Sequence, residues 1–369
     1  MNRSINRHVG VVTKICSCED ELLEIEVRVE GGSQKAYAFP RQTGKVRIGD
    51  QVLLNTTAVD LKLGSGGYHF VMANLTEERS SGGVQTGRKA GHIMKLRYTP
   101  FQLKVMAAEE PGSPWRGLLE KTQDLGGIPV IGGSLHSMLV PCVCGIKAVN
   151  KDLRVAYVMT DGGALPLGIS KAVQDLKRAG FICGVVTTGH AFGGDCEAVN
   201  LYSGLLAARA ILNAQVIVAL MGPGVVGTGT TWGHTGIEAG LIINAVSSLN
   251  GTSYTIPRLS FADKRGRHKG VSHHTLTVLS RVALASTRLV LPALDEGQKK
   301  TVLSQLQGRE INNHQLVWGR GDEGINLARR MGFLLNHMGR KFGDDPAFFL
   351  AASAAGEAAA GDFNKAGTQ

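Results

Sequence analysis

The chain has 369 residues, 43% hydrophobic and 19% charged, which is enough apolar material for a large core and excludes a disordered chain. Its formal net charge is +10, and no apolar run reaches the roughly 18 residues that span a bilayer. Met1–Gly10 has no apolar leader segment, so a cytoplasmic protein with no membrane contact is expected. The six cysteines, two pairs of them as Cys16-x-Cys18 and Cys142-x-Cys144, lack zinc-ribbon spacing and are expected as reduced thiols.

Residues 1–80 carry short β-type runs at Val9–Ile15, Leu22–Val29, Gln34–Phe39, Gln51–Thr57 and His69–Ala73, separated by glycine-rich turns. Alternation along Glu24-Ile25-Glu26-Val27-Arg28-Val29 marks half-buried strands, and five at this spacing predict a small β-barrel of the OB or SH3 kind. The polar, Gly/Ser-rich stretch Glu77–Ala90 reads as linker, and residues 81–100 are assigned to it.

From residue 101 to 369 the pattern changes to that of a site-bearing α/β domain. Strands are predicted at Leu103–Ala108, Ile128–Ile131, Val155–Thr160, Ile182–Thr187, Val216–Met221, Tyr254–Phe261, Arg288–Leu291 and His314–Gly319. Helices are predicted at Pro166–Ala179, Ala198–Leu212, Gly236–Leu249 and Glu323–Met338, with a small-residue helix at Phe348–Gly361 packed on the domain. Strand starts about 25–38 residues apart are βα spacing and imply a mostly parallel sheet. An open doubly wound sheet is preferred over a TIM-like barrel, because the outer strands are weak and the site-like loops cluster in the middle.

Those loops follow the strands, where parallel α/β proteins place ligands. After the Gly132-Gly133 turn come His136 and Ser137, expected to line a substrate site; the Gly-x-Ser-x-Gly spacing of a nucleophile elbow is missing. Asp161, before Gly162-Gly163, can hold a metal or simply cap its turn. Gly189 to Glu197 brings His190, Asp195 and Glu197 to a helix start; the acids also suit the helix dipole, whereas a loop imidazole has little packing purpose. Gly222, Gly224 and Gly227, with Thr228 and Thr230, suggest a backbone cradle for phosphate or carboxylate, a turn being the alternative. No Walker sequence follows, and Asp263 lies too far downstream to be the partner acid of a dinucleotide fingerprint.

Ser260–Thr275 is the densest segment, with Asp263, Arg265, Arg267, His268, Ser272, His273 and His274 just beyond a strand. Ser272 is placed to cap a helix starting at His273. Adjacent histidines diverge by about 100° on a helix, so one of His273 and His274 is expected at a ligand shared with Asp263 and His268. Arg265 and Arg267 suit an anion; an exposed basic loop is the bland reading.

Together Leu135–Leu139, Tyr157–Pro166, Gly189–Asn200, Met221–Thr230, Ser260–Thr275 and the glycine-rich run 61–71 resemble the family of unknown function DUF3866, found in Gram-positive, largely spore-forming bacteria. The resemblance spans nearly the whole chain and implies a cytosolic protein with no established catalytic residues to carry over. From the residues themselves, hydrolysis or group transfer on an anionic, phosphorylated or nucleotide-like small molecule is expected. His190, Asp195, Asp263, His268 and His273 form the expected catalytic set. Gly222, Gly224, Gly227, Thr228, Thr230, Arg265, Arg267, His136 and Ser137 form the binding set. Asp161, Asp195 and Asp263 are the expected ligands of a divalent metal. A non-catalytic anion sensor or scaffold is one alternative. Nucleic-acid binding is another, encouraged by seven cations against one acid between Thr255 and Leu289 but supported by no recognition motif.

Overall fold

The computed structural model describes residues 5–19, 21–64, 66–76, 91–308, 311 and 313–366. The linker stretch Glu77–Ala90 lies outside them, apart from its neighbours 91–100. Contacts divide the chain into two compact units, one of residues 1–90 and 96–104, the other of residues 91–95 and 105–369.

The first unit is a closed five-stranded barrel, formed by β1 (Arg7–Glu19), β2 (Leu22–Val29), β3 (Gly32–Ala38), β4 (Gln51–Asn55) and β5 (Tyr68–Asn74). The order is β1-β2-β3-β5-β4, closed by β1 pairing with β4; β3 and β5 run parallel and the other pairs antiparallel. The alternation seen in β2 turns Ile25 and Val27 inward onto Val12, Ala36, Val52, Leu54 and Val71.

The second unit is built on an open eight-stranded sheet in which every pairing is parallel. Its strands are β6 (Pro129–Gly133), β7 (Val155–Thr160), β8 (Gly184–Thr187), β9 (Cys196–Glu197), β10 (Val216–Met221), β11 (Thr252–Thr255), β12 (Arg288–Leu291) and β13 (Gln315–Trp318), in the order β9-β8-β7-β10-β6-β11-β12-β13. The TIM-like alternative is thereby excluded. Along β7, Val155, Tyr157 and Met159 join one core while Ala156 and Val158 join the other, so the sheet is apolar on both faces, as a doubly covered sheet requires.

The principal helices are α1 (Leu139–Val149), α2 (Lys171–Arg178), α3 (Leu201–Ala210), α4 (Glu238–Ser248), α5 (Glu296–Gln307), α6 (Asp322–Arg330) and α7 (Pro346–Ala366). α1, α2, α6 and α7 contribute to the first core, whereas Leu205 and Ala208 of α3 and Ile242 and Val246 of α4 pack into the second. The chain leaves β6 through α1 on one face and leaves the adjacent β10 through α4 toward the other. That reversal opens a crevice at the carboxyl ends of β6 and β10. No described helix is long and apolar enough to cross a membrane.

Four elements differ from the sequence reading, the first being β9, an edge strand where the loop of residues 189–197 was expected to run into a helix. Leu103–Ala108 adds no strand to the large sheet; Ala107 makes only a single bridge to Glu197. The strand expected over Tyr254–Phe261 stops at Thr255, ahead of Pro257, which has no N–H to give a ladder, and Leu259–Ser260 pairs instead with Gly270–Val271. The helix expected over Glu323–Met338 ends at Arg330, where Gly332 takes a left-handed φ of 71°. A hairpin follows, with His337 opposite Arg340 and both turn residues at positive φ, Met338 at 49° and Gly339 at 81°.

The small-residue tail packs as expected. α7 lies so close to α1 that a Cβ on Gly356 would collide with the Cys142 carbonyl, and one on Gly145 with that of Ser353. Gly356→Val is expected to lower stability by at least about 2 kcal/mol in urea titration, because backbone rather than a mobile side chain must give way. A loss below about 0.5 kcal/mol would show that the two helices part readily.

Candidate active site at the carboxyl edge of the sheet

The crevice holds a cleft of about 530 Å³ lined by His136, Ser137, Lys171, Pro223, Asn336 and His337, with Leu135, Val140, Phe333 and Leu334 supplying apolar wall. Ser137 sits in the turn that carries β6 into α1, and His337 arrives on the hairpin after α6. Ser137 Oγ is 2.9 Å from His337 Nδ1. The imidazole is buried and stacked on Phe348, with ring centres 4.0 Å apart. Burial, reinforced by Arg258 and Arg340, pushes its pKa down to about 3, so it is a neutral base at physiological pH.

His136 turns from that pair into the protein. Its Nε2 is 2.6 Å from Ser170 Oγ and its Nδ1 is 3.2 Å from Tyr157 Oη, which itself donates to the Leu220 and Met221 carbonyls. Ser170 also caps α2 by accepting from the Val173 amide. Burial holds His136 neutral, at about 4. It ties β6, β7, β10 and α2 together beneath the cleft.

Beside His337 lies a set of guanidinium groups. Asp263 accepts from Arg265 Nε and Nη2 at 2.9 and 2.8 Å, with Arg258 Nη2 at 3.8 Å and Arg340 Nη2 at 3.7 Å. The Arg265 hydrogen bonds hold the Asp263 carboxyl well below the usual carboxylate range. Arg258 is buried, and burial with the neighbouring Arg265 charge lowers it to about 10. Arg340 Nε reaches Asp345 at 3.1 Å, and Asp345 accepts from Ser260 at 2.6 Å. Met338 joins this set to the cleft: it lines the cleft, and its sulfur lies 3.9 Å from Arg258 Nη2 and 3.8 Å from Arg265 Nη2. Its left-handed backbone is uncommon for a residue with a side chain.

His268, His273 and His274 come together next to Arg258, their candidate ligand atoms all within 4.8 Å of one another. Ser272 caps the one-turn helix as expected, accepting from the His274 amide at 3.2 Å. Both His273 and His274 belong to the cluster, because the three rings form a triangle: the His268 ring centre is 5.1 Å from His273 and 5.0 Å from His274, and those two are 4.4 Å apart. Burial drives His268 to about 3 and His274 to about 2.

The other expected site residues are placed differently. Asp161, Asp195 and Asp263 do not gather into a metal-holding group among the described residues. Asp195 pairs with Lys177 at 2.6 Å and accepts from the Val185 amide, while Asp263 is engaged by arginines. Asp161 accepts from the His190 amide at 3.0 Å; the His190 loop follows β8, four places along the sheet from β11, which leads into the histidine cluster.

The glycine-rich loop also serves packing. Gly222 lies against the Ala164 carbonyl, Gly224 takes a φ of 107° and Gly227 lies against the His274 ring. Thr228 and Thr230 hydroxyls bond each other at 2.9 Å, and the Val226 and Thr228 amides are satisfied by Thr235 and Gly233. Arg267 is exposed beside Gly229. Of the cations counted between Thr255 and Leu289, Arg258, Arg265 and Arg288 are in ion pairs with Asp263 or Asp362.

Residues 35–356 match the family described as a protein of unknown function, DUF3866. The chain belongs to that family. Searches of curated proteins and of solved structures gave no match. The features that sequence reasoning missed in this DUF3866 protein are His337, Arg340, His234 and Glu238. Glu238 opens α4 beside Asp161 and Gly162, its Oε2 buried without a partner, and burial raises its carboxyl to about 7. The Met338-Gly339 pair was the one available signal for the hairpin that delivers His337 and Arg340.

Proposed function

We propose that this protein is a hydrolase or group-transfer enzyme for an ester of an anionic small molecule, with the switch-point cleft as its active site. The observation that carries this reading is the 2.9 Å contact between Ser137 Oγ and a buried, neutral His337 at the wall of that cleft. Serine is a weak nucleophile until an adjacent base accepts its proton. In the proposed reaction the negative charge of the bound substrate offsets the arginines that oppose protonation of His337, which takes the Ser137 proton as Oγ bonds to the electrophilic carbon or phosphorus. The leaving oxygen departs with that proton; water, deprotonated by His337, then breaks the ester to Ser137, and Ser137 Oγ takes the proton back from His337. The apolar wall suits the substrate body, and Arg258 and Arg265, behind Met338, supply attraction for its negative group.

Fluorophosphonate labelling followed by peptide mass spectrometry tests this. The expected adduct is on Ser137, absent in Ser137→Ala and slowed about 100-fold or more in His337→Gln. Folded parent protein that leaves Ser137 unlabelled, or labels equally fast without the imidazole, would overturn the assignment.

A further inference from the structure

The serine mechanism leaves four packed imidazoles unused. His234 stacks on His274 with ring centres 3.8 Å apart and planes within 7°, and it meets His273 at 5.7 Å. His268 and His274 are 2% exposed and His234 is 6% exposed. Nε2 of His273, Nε2 of His274 and both nitrogens of His234 are buried with no hydrogen-bond partner. Buried polar atoms are almost always satisfied, so orphans concentrated in one place point to a missing ligand.

The surroundings select the kind of ligand. Ser272 Oγ is 2.7 Å from His268 Nδ1. With Ser272 accepting from Nδ1–H, Nε2 keeps its lone pair free for an ion; such an orienting contact on the other ring nitrogen is what metal-bound histidines commonly have. The donor set is three imidazoles without a carboxylate, which suits zinc-type transition ions and not magnesium or calcium. We propose that His268, His273 and His274 bind one divalent transition-metal ion, leaving its remaining position open to water or an anion. This site stands independently of the Ser137 reading.

The neighbouring charge fits that open position. Arg258 lies against His274, and Arg265 shares Asp263 with Arg258; these cations oppose an uncompensated dication, so they favour an anionic fourth ligand. Arg258 Nη1 stands 3.3 Å from His274 Nδ1 and can only donate. Binding through His274 Nε2 requires the ring hydrogen on Nδ1. Arg258 must then give up that contact and turn toward Asp263, 3.8 Å away.

The test uses the full chain, stripped with a chelator and then dialysed against zinc or cobalt. The expected result is one retained ion per chain, with the intense visible bands of low-coordinate cobalt. His268→Gln and His273→Gln should abolish retention, and Ser272→Ala should weaken it about 10- to 100-fold. Ser272→Ala keeps the test decisive if a histidine variant fails to fold. No stoichiometric zinc or cobalt on the parent, or undiminished binding by the folded His273→Gln chain, would overturn the site. Inorganic phosphate raising the melting temperature equally with and without metal, while no metal is retained, would make it an anion pocket and overturn it equally.

Discussion

Lys95→Met is expected to destabilise the protein by about 3–5 kcal/mol in denaturant titration. Lys95 Nζ is buried and spends its three hydrogens on Glu197 Oε2 at 2.6 Å, the Thr187 carbonyl at 3.2 Å and the Ala191 carbonyl. Methionine fills the same volume but leaves two carbonyls and a mostly buried carboxylate without their cation. Glu197 keeps the Thr187 hydroxyl at 2.6 Å and the Gly193 amide at 2.8 Å, so the loss should fall toward the lower end of that range. Adding Glu197→Gln to Lys95→Met should recover part of the loss, because the unpaired charge is what costs most. A double-mutant cycle with coupling below about 0.5 kcal/mol would show that the pair acts independently.

Glu238→Gln is expected to remove a pH dependence of stability worth up to about 3 kcal/mol. Burial raises the folded-state carboxyl from 4.5 to about 7, with the Asp161 charge adding to the effect. In the unfolded chain the group ionises near its ordinary value, so between these two pH values the folded state holds more proton than the unfolded one. Stability therefore falls as pH rises from about 4.5 through about 7 and levels off above it. At 1.36 kcal/mol per pH unit the span comes to about 3 kcal/mol. The glutamine variant should match the parent near pH 4.5 and exceed it near pH 8 when midpoints are compared. Parallel pH profiles for the two proteins would rule the effect out. Glutamate persisting at such a position is unfavourable for folding alone, and strained or destabilising residues cluster at functional edges of α/β sheets.

The architecture was legible in the sequence where pattern is local. Short alternating strands announced the barrel, and apolar runs ended by Gly, Asp or His announced seven of the strands from β6 to β13 and the loops behind them; the two-residue edge strand β9, inside a loop read as a site, was not expected. Ser272 as a cap was readable because Ser followed by paired histidines after a turn is a local signal. What escaped depended on distance along the chain. Ser137 and His337 are separated by 200 residues, and no spacing rule links them. Arg340 reaches Asp263 only because a two-residue hairpin turns it back. Asp195 looked catalytic from its loop, yet Lys177 from the preceding helix takes it up. The glycine run looked like an anion cradle, but its glycines answer to the Ala164 backbone and the His274 ring. Local composition marked the right edge of the sheet; long-range packing decided which residues on that edge meet.

The family match opens inside β3 and closes inside α7, at residues 35–356. The barrel, however, is closed by β1, which pairs with both β2 and β4, and α7 runs on to Ala366. Beyond the match Asp362 holds Tyr254 and Arg288 at 2.7 Å each, bracing the strands β11 and β12 from below. The matched span is thus smaller than what folds together in this chain. Cutting the gene at those borders would yield a half-ring of strands and a sheet missing its clasp.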